Sequence, residues 1–336
     1  MQQASYRILR QFPPPEIERA WRRFLEAIDL PSHYVTPEYF LEPSIQSARP
    51  FVLVAESAGA ITGILTGRYL GRNLISGMPH RPQLVLAKGD GRLPAEKALI
   101  QGLLQEGRSC RLITVYAWEP LEGFSAAGFE TTETAGTFLL YLSGSAENLF
   151  QGISARKRTY IHQVKRKGVD IKDSYDIQDI DELLDVFNET HRRHRLPLRT
   201  RTELEALLKL DCNRKLFIAR AEGRVIAATI IRFVRGGLAE YSENVSLERM
   251  RHYHPNEALL WETIQWSYAQ GCRAFSFGGA NEFKSGFSSN IAPIYRLRRD
   301  QSVFHIIDRR DRLLRIARPV AKSVLVRCKK LFTKDG

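Results

Sequence analysis

At 336 residues with 43% hydrophobic content, the chain can bury a large core and is long enough for about two domains of ~150 residues each. Its four cysteines, Cys110, Cys212, Cys272 and Cys328, are scattered and never form a C-x-x-C pair, so neither a disulfide framework nor a cysteine zinc knuckle is signalled, and reduced cysteines in a cytosolic protein are expected. A net charge of +13 calls for a polyanionic partner: nucleic acid, a nucleotide-bearing substrate or an anionic membrane face.

The opening MQQASYRILRQFPPPE lacks the apolar core of a signal peptide, and the run 225–231 falls far short of the ~20 apolar residues a membrane span needs. The chain is therefore expected in the cytoplasm, free or held at the inner face of a membrane. After the triple proline, Ile17, Ala20, Trp21, Phe24 and Ile28 recur at helical spacing, so residues 16–28 read as an amphipathic helix. FVLVAE from Phe51, then SAGA, then ITGILTGRY read as a strand hairpin. A helix over 95–105, a strand over 112–118, a turn at Gly128-Phe129 and a strand over 137–142 follow. Residues 146–167 read as one basic helix with Leu149, Phe150, Ile153, Ile161 and Val164 as its apolar contacts. Gly168 and Val169 mark a helix stop and a strand start. The next helix, 179–191, begins with acids and closes on His191, Arg192, Arg193 and His194, which suits the helix dipole.

The order then repeats. LFIARAEGRVIAATIIRF is a second hairpin, with Ala221-Glu222 before its turn as Ala55-Glu56 stand before the first. In residues 254–298, Asn256 caps a helix that Gly271 closes, and a short strand over 274–277 ends at Gly278-Gly279. A polar loop, NEFKSGF, leads to a last strand, PIYRLR, and Gly286-Phe287 answers Gly128-Phe129. Two copies of one α/β unit are expected, over 1–145 and 146–305, followed by a tail over 306–336.

The segments SARKRTYIHQVKRKGVDI, FNETHRRHRLP, LFIARAEGRVIAATI, HPNEALLWETIQW, and FGG followed by NEFKSGF resemble, in order and wording, the FemAB-type peptidyltransferases and their relatives, the BioF-like acetyltransferases. The likeness is close over 145–298 and extends to the first half only in the order of its elements. It implies two tandem GNAT acyltransferase folds, each an α/β unit with a mixed, mostly antiparallel sheet flanked by helices. It also implies amide formation: a neutral amine attacks an activated carbonyl carried by acyl-CoA or aminoacyl-tRNA, with no permanently bound cofactor. Two features depart from the pattern. Neither AKGDGR nor RHYHPNE supplies the Q/R-x-x-G-x-G/A loop that holds a coenzyme A pyrophosphate at a helix start. Residues 199–210 leave room for one short helix, not the long helical hairpin several Fem proteins carry.

Carried over residue by residue, the resemblance assigns Phe283 and Lys284 to the donor's phosphate and ester end, beside Gly278 and Gly279. Tyr241 and Glu243, at the end of a strand, face the expected cleft and would relay the amine's proton, making Lys284, Tyr241 and Glu243 the catalytic candidates. Asn256 is a candidate for the acceptor, and Arg156, Arg158, Lys165 and Lys167 for phosphates of a nucleotide or tRNA. Each has a plain alternative: a solvated loop lysine, a strand-end tyrosine, a helix cap, a solvated helix face. The pairs His191/His194 and His252/His254 lack a third ligand at metal spacing, so no metal is expected.

From Arg309 onward, Leu313, Leu314, Ala317, Val320, Val324 and Leu325 alternate with arginines and lysines, the composition of a helix lying on an anionic surface or packed on its own domain. Two classes of function stay open. One is an N-acyltransferase acting on an amine of a cell-envelope or exported-glycan precursor, with aminoacyl-tRNA-dependent peptidoglycan bridge formation as its variant. The other is a catalytically silent protein that binds an anionic membrane or RNA. Convergence of Lys284, Tyr241 and Glu243 on one open cleft would favour the enzyme, and burial of Lys284 in an ion pair the binder.

Overall fold

The computed structural model describes residues 4–310 except 175, 177, 178 and 210–212; the rest of the basic tail, 311–336, lies outside the described residues. The first half runs β1 (Ser5–Leu9), α1 (Pro15–Glu26), α2 (Pro43–Gln46), β2 (Pro50–Ser57), β3 (Ala60–Leu70), β4 (Asn73–Ser76), β5 (Leu84–Leu86), α3 (Arg92–Glu106), β6 (Leu112–Ala117), α4 (Glu122–Ala126), β7 (Glu130–Glu133) and β8 (Thr137–Tyr141). Two linking helices follow, α5 (Ala146–Gln151) and α6 (Ala155–Arg166). The second half repeats the order: β9 (Asp170–Lys172), α7 (Asp179–His194), α8 (Arg201–Lys209), β10 (Arg214–Ala221), β11 (Arg224–Phe233), β12 (Leu238–Ser246), α9 (Pro255–Ala269), β13 (Ala274–Ser276), α10 (Glu282–Ser285), β14 (Ile291–Ala292) and β15 (Tyr295–Asp300).

The strands form two sheets of matching design. One is ordered β1-β2-β3-β4-β6-β15-β7, with β5 beside β3, and the other β9-β10-β11-β12-β13-β8-β14. In each, one pair is parallel, β4 with β6 and β12 with β13, and every other pair is antiparallel. The expected duplication is therefore present as strand order and polarity. The last strand of each half, however, crosses over. β8 pairs with β13 and β14 in the second sheet, and β15 pairs with β6 and β7 in the first. A boundary at 145/146 separates the halves in sequence, but each sheet contains a strand from the other side of it.

The hairpins show why the halves fold alike. Both turns place two residues at positive φ, Ala58 with Gly59 and Glu222 with Gly223, the type I′ geometry that matches strand twist. A bulge follows at the same distance from each turn, with Thr62 and Ile226 as the extra residues. Aligned on turn and bulge, Ala221 matches Ser57, so the two Ala-Glu pairs are offset by two residues and are not equivalent.

The basic helix expected over 146–167 breaks at Gly152. Ser145 Oγ caps α5 by accepting from Asn148 N at 3.1 Å, and Gly152 N and Ile153 N bond back to Asn148 O and Phe150 O. Ile153 is buried there, and Arg158 reaches back to donate to Gln151 O at 2.8 Å and to Ile153 O. Burial of Ile153 and closure of the α5 carbonyls offset the three residues, 152–154, at which the helix is interrupted.

The halves are joined by buried charge. Glu42, beside α2, accepts from Arg232 Nε and Nη2 at 2.8 and 2.9 Å and from Arg214 at 2.7 Å, and meets His33 Nε2 at 2.6 Å. Burial would raise this carboxyl, but the hydrogen bonds from His33 and Arg232 and the charge of Arg232 outweigh it and hold Glu42 well below the usual carboxylate range.

Candidate active site

The site begins where the second sheet opens. β12 pairs with β13 only from Leu238–Glu240 to Ala274–Ser276. Beyond Glu240, β12 keeps its β11 neighbour while the chain after β13 turns away through Phe277 and two glycines. The gap is a cleft of about 440 Å3, lined by Tyr241, Ser242 and Asn244 from β12, Asn256 from α9, His194 from the end of α7, Gly278, Asn281, Phe283 and Lys284 from the α10 segment, and His80 from the first half. Volume alone would choose elsewhere, a groove of about 1130 Å3 beside the start of α3; a second, of about 780 Å3, lies between α5, α6, β9 and α9. Its walls are mainly apolar, Phe150, Ile161, Val164, Val169 and Trp261 among them. The smaller cleft brings together the ionisable and amide groups that could handle a carbonyl and an amine.

NEFKSGF is a one-turn helix rather than a loop. Asn281 Oδ1 accepts from Lys284 N at 3.1 Å, which fixes the turn and aims the lysine inward. Lys284 Nζ donates to Gly278 O at 3.1 Å, and no carboxylate pairs with it among the described residues. Burial lowers its pKa. Phe283 packs on Phe287 with ring centroids 5.9 Å apart, while Lys157 Nζ sits 3.9 Å from the Phe283 centroid and 3.0 Å from Glu257 Oε1. Gly278 has φ +65, and a Cβ there would lie 2.8 Å from Tyr241 O; only glycine admits the turn that presents its carbonyl to Lys284. Gly279 is absent from the cleft lining and donates its N–H to Thr137 Oγ1 at 2.9 Å.

Tyr241 is 7% exposed and its hydroxyl has no hydrogen-bond partner among the described residues. Burial raises its pKa, offset in part by Thr229, whose own hydroxyl is committed to Asn244 Oδ1 at 2.9 Å. Glu243 is turned elsewhere. Tyr241 pairs with Ile231 and Glu243 with Ile230, so Ser242 is an extra residue, and the bulge destroys the two-residue alternation that would have put both side chains on one face. Glu243 instead meets Arg199 at 2.7 Å and Arg232 at 3.8 Å, and the proton relay expected of the Tyr241/Glu243 pair loses its carboxylate.

Asn256 lines the cleft but does not cap α9. His254, at φ 55, holds the cap position with its ring stacked 4.0 Å from that of Tyr160. Asn256 Nδ2 donates to Ser246 Oγ at 3.3 Å, and Asn256 Oδ1 is buried without a partner. The basic helix contributes little to the cleft. Arg156 is exposed and donates to Tyr160 at 3.0 Å, Arg158 closes α5, and Lys167 Nζ donates to His252 O. None of these three lines the cleft, and the side chain of Lys165 lies outside the described residues.

His80 is the residue that sequence reasoning missed. It stands in GMPHRP, a segment whose glycine and prolines signal a turn, but nothing local says where the turn reaches. Its position is set by Arg81, whose Nε lies 3.1 Å from Glu240 Oε1 and whose guanidinium lies 4.2 Å from the Tyr34 centroid. Burial, then the charges of Arg81 and Lys284, push the His80 imidazole down to about 4, so it is neutral at pH 7.

Residues 154–285 match the family described as "Acetyltransferase (GNAT) domain". This stretch is a GNAT domain. The match spans α6 to α10 and so contains every cleft residue except His80. No curated protein matches the chain. Among solved structures, the GNAT domain and its partner unit together resemble the crystal structure of FemX, with a TM-score of 0.65 at 11% identity over 83% of this chain and 95% of that one. A tandem GNAT protein from the clavulanic acid biosynthesis pathway gives 0.56 at 10% identity, over 90% and 99% of the two chains. The C-terminal domain of a proposed lysylphosphatidylglycerol synthetase from Agrobacterium fabrum gives 0.56 at 15%, over 75% and 85%. At these identities the likeness is one of fold, the tandem GNAT arrangement.

Proposed function

We propose that the chain is an N-acyltransferase that forms an amide in the β12/β13 cleft between an activated acyl or aminoacyl donor and an amine of a cell-envelope or exported-glycan precursor. The observation that carries this reading is Lys284, a half-buried cation whose Nζ has, among the described residues, one carbonyl partner and no counter-ion, beside the Tyr241 hydroxyl and Asn256 Oδ1, which have no partner there either. Burying a charge and two polar atoms without partners is costly unless a ligand completes them. A carbonyl oxygen that becomes an oxyanion during attack would satisfy Lys284, and does so best in the transition state. The Tyr241 hydroxyl, kept protonated by burial, can donate to the same oxygen or to the leaving group, and Asn256 Oδ1 can accept from the incoming amine. The C–N bond forms, the ester C–O or thioester C–S bond breaks, and the leaving oxygen or sulfur takes a proton.

The start of α9 favours an aminoacyl ester over a coenzyme A thioester. A pyrophosphate cradle needs free N–H groups on a glycine-rich turn, whereas α9 opens with left-handed His254 stacked on Tyr160, then Pro255, which has no N–H. The FemX and lysylphosphatidylglycerol synthetase likenesses support the same choice. Mass spectrometry of products from aminoacyl-tRNA and acyl-CoA donors offered in parallel tests it. Amide formed only from acyl-CoA would reverse the donor assignment, and no amide from either would remove the enzyme reading.

Placement beside a membrane belongs to the same proposal. Among the described residues no helix is long and apolar enough to cross a membrane, and the basic, apolar composition of 309–336 suits an anionic surface, at about 1 kcal/mol per basic residue near it. Truncation after residue 308 is expected to abolish binding to phosphatidylglycerol vesicles and to spare turnover of soluble substrate. Equal vesicle binding by the truncated chain would contradict this placement.

A further inference from the structure

We propose that His80 is the base that takes the proton lost by the attacking amine, so that the first unit completes the active site of the second. The inference rests on the transfer reading above, and four observations carry it.

The first is topological. With the hairpins aligned on turn and bulge, Ser76 matches Tyr241 and Gln83 matches Glu243. Residues 77–82 therefore stand where the second unit has Ser242 alone. The same interruption that is a one-residue bulge in one sheet is, in the other, a hairpin long enough to leave its sheet and reach the neighbouring cleft.

The second is that this hairpin is held rigidly. Met78 and Arg81 exchange backbone hydrogen bonds of 2.9 Å in both directions, Gly77 N donates to Gln83 Oε1 at 3.0 Å, and Thr134 Oγ1 donates to Pro79 O at 3.1 Å. Gly77 has φ +82, and a Cβ there would lie 2.7 Å from Arg81 O. The buried Arg81–Glu240 pair fastens the hairpin across the unit boundary. At its tip, His80 packs against the glycine turn that serves Lys284: a Cβ on Gly279 would stand 3.9 Å from His80 Cβ.

Third, the His80 ring makes no hydrogen bond among the described residues, so its nitrogens are open to a ligand. Fourth, the other candidates are spent or unsuited. Glu240 is paired with Arg81, Glu243 faces Arg199, Lys284 is a cation, Tyr241 holds its proton, and His194 is exposed at the rim.

The charged and titratable groups that face His80 are Arg81 on its own hairpin, Lys284 on α10, Tyr241 on β12 and His194 on α7. Burial first, then the charges of Arg81 and Lys284, keep the imidazole neutral in the free cleft. An anionic donor meeting Lys284 withdraws one of the two repulsions and makes the ring more basic when the ammonium form of the intermediate must lose its proton. The proton moves from that nitrogen to the imidazole and then to the leaving oxygen or sulfur, which balances the step.

In full-length protein, His80→Gln is expected to lower kcat about a hundredfold or more, leave KM and the melting temperature nearly unchanged, and abolish the acidic limb of the pH–rate profile. In His80→Gly, added imidazole should restore part of the rate. Wild-type product formation with unaltered kcat and pH profile in His80→Gln would overturn the base and leave the transfer reading standing. Independently of any turnover, NMR titration of the His80 ring should give a pKa far below that of free histidine in wild type and a higher one in Lys284→Ala. An ordinary value with no response to Lys284→Ala would overturn the placement.

Discussion

The first unit has a cleft in the position that answers the second unit's, about 340 Å3 between β5 and the end of β6 at the opening of α3. Leu84, Leu86, Ala117 and Leu121 wall it, and its two cations are neutralised: Lys88 meets Asp29 at 2.6 Å and Arg92 meets Glu119 at 2.7 Å. In the second unit, Lys284 has no carboxylate partner among the described residues and sits with the Tyr241 hydroxyl and Asn256 Oδ1, which are likewise without partners there. One strand order has thus produced two clefts that differ in where charge is compensated. In the first cleft both cations are ion-paired, whereas the second leaves Lys284 with a carbonyl and no carboxylate among the described residues. The first unit's share in the chemistry is what it sends across the boundary: strand β8, which builds the second sheet, and the hairpin that carries His80.

The comparison holds only if the two units are locked together, and that gives the largest expected effect. Glu42→Ala would leave Arg232 and Arg214 buried without their anion, and is expected to cost about 3–5 kcal/mol, read as a fall in the urea midpoint. The pH dependence has a defined sign. Glu42 is depressed in the folded state, so its contribution is complete above the unfolded carboxylate range and is lost as pH falls below that range toward the folded value. Wild type should therefore lose stability on acidification more steeply than Glu42→Ala. A change under about 1 kcal/mol would show that the units do not depend on this cluster.

Gly278→Ala is expected to have an intermediate effect. A methyl at φ +65, 2.8 Å from Tyr241 O, costs about 1–3 kcal/mol in backbone strain and displaces the carbonyl that holds Lys284. Both melting temperature and turnover should fall, and normal values for both would mean that the glycine turn is not part of the site. The smallest effect belongs to the compensated cleft. Its two ion pairs are at the surface, so Lys88→Ala and Arg92→Ala should each shift stability by less than about 1 kcal/mol and leave turnover within roughly twofold of wild type. A large loss of turnover in either would move function into the first unit.

Much of this architecture was legible in the sequence because it rests on local patterns. The two hairpins and the Gly271 helix stop follow from short-range spacing, whereas Lys284, Phe283, Tyr241 and Asn256 were singled out through the family resemblance, and the structure places all four on one cleft. What could not be read depends on longer reach. The exchange of β8 and β15 leaves no trace, since an apolar strand such as TFLLY satisfies either sheet equally. The bulge at Ser242 turned Glu243 away from the cleft by inserting one residue into an alternation that otherwise reads correctly. The two Ala-Glu pairs suggested an alignment that turn geometry shifts by two. His80 was invisible because its destination is fixed by Arg81 and Glu240, far apart in the chain.

The central claim is that an uncompensated lysine in the β12/β13 cleft meets the donor, and turnover of Lys284→Ala beside Arg92→Ala, on whichever donor yields amide, tests it most directly. Lys284→Ala should lose about a hundredfold in kcat/KM, at ~1.4 kcal/mol per factor of ten, with a melting temperature equal to or slightly above wild type, because a half-buried charge with no carboxylate partner among the described residues is removed. Lys284→Arg should recover part of the rate, since the planar guanidinium keeps the charge but not its shape. Wild-type kcat/KM in Lys284→Ala with normal melting would contradict the account.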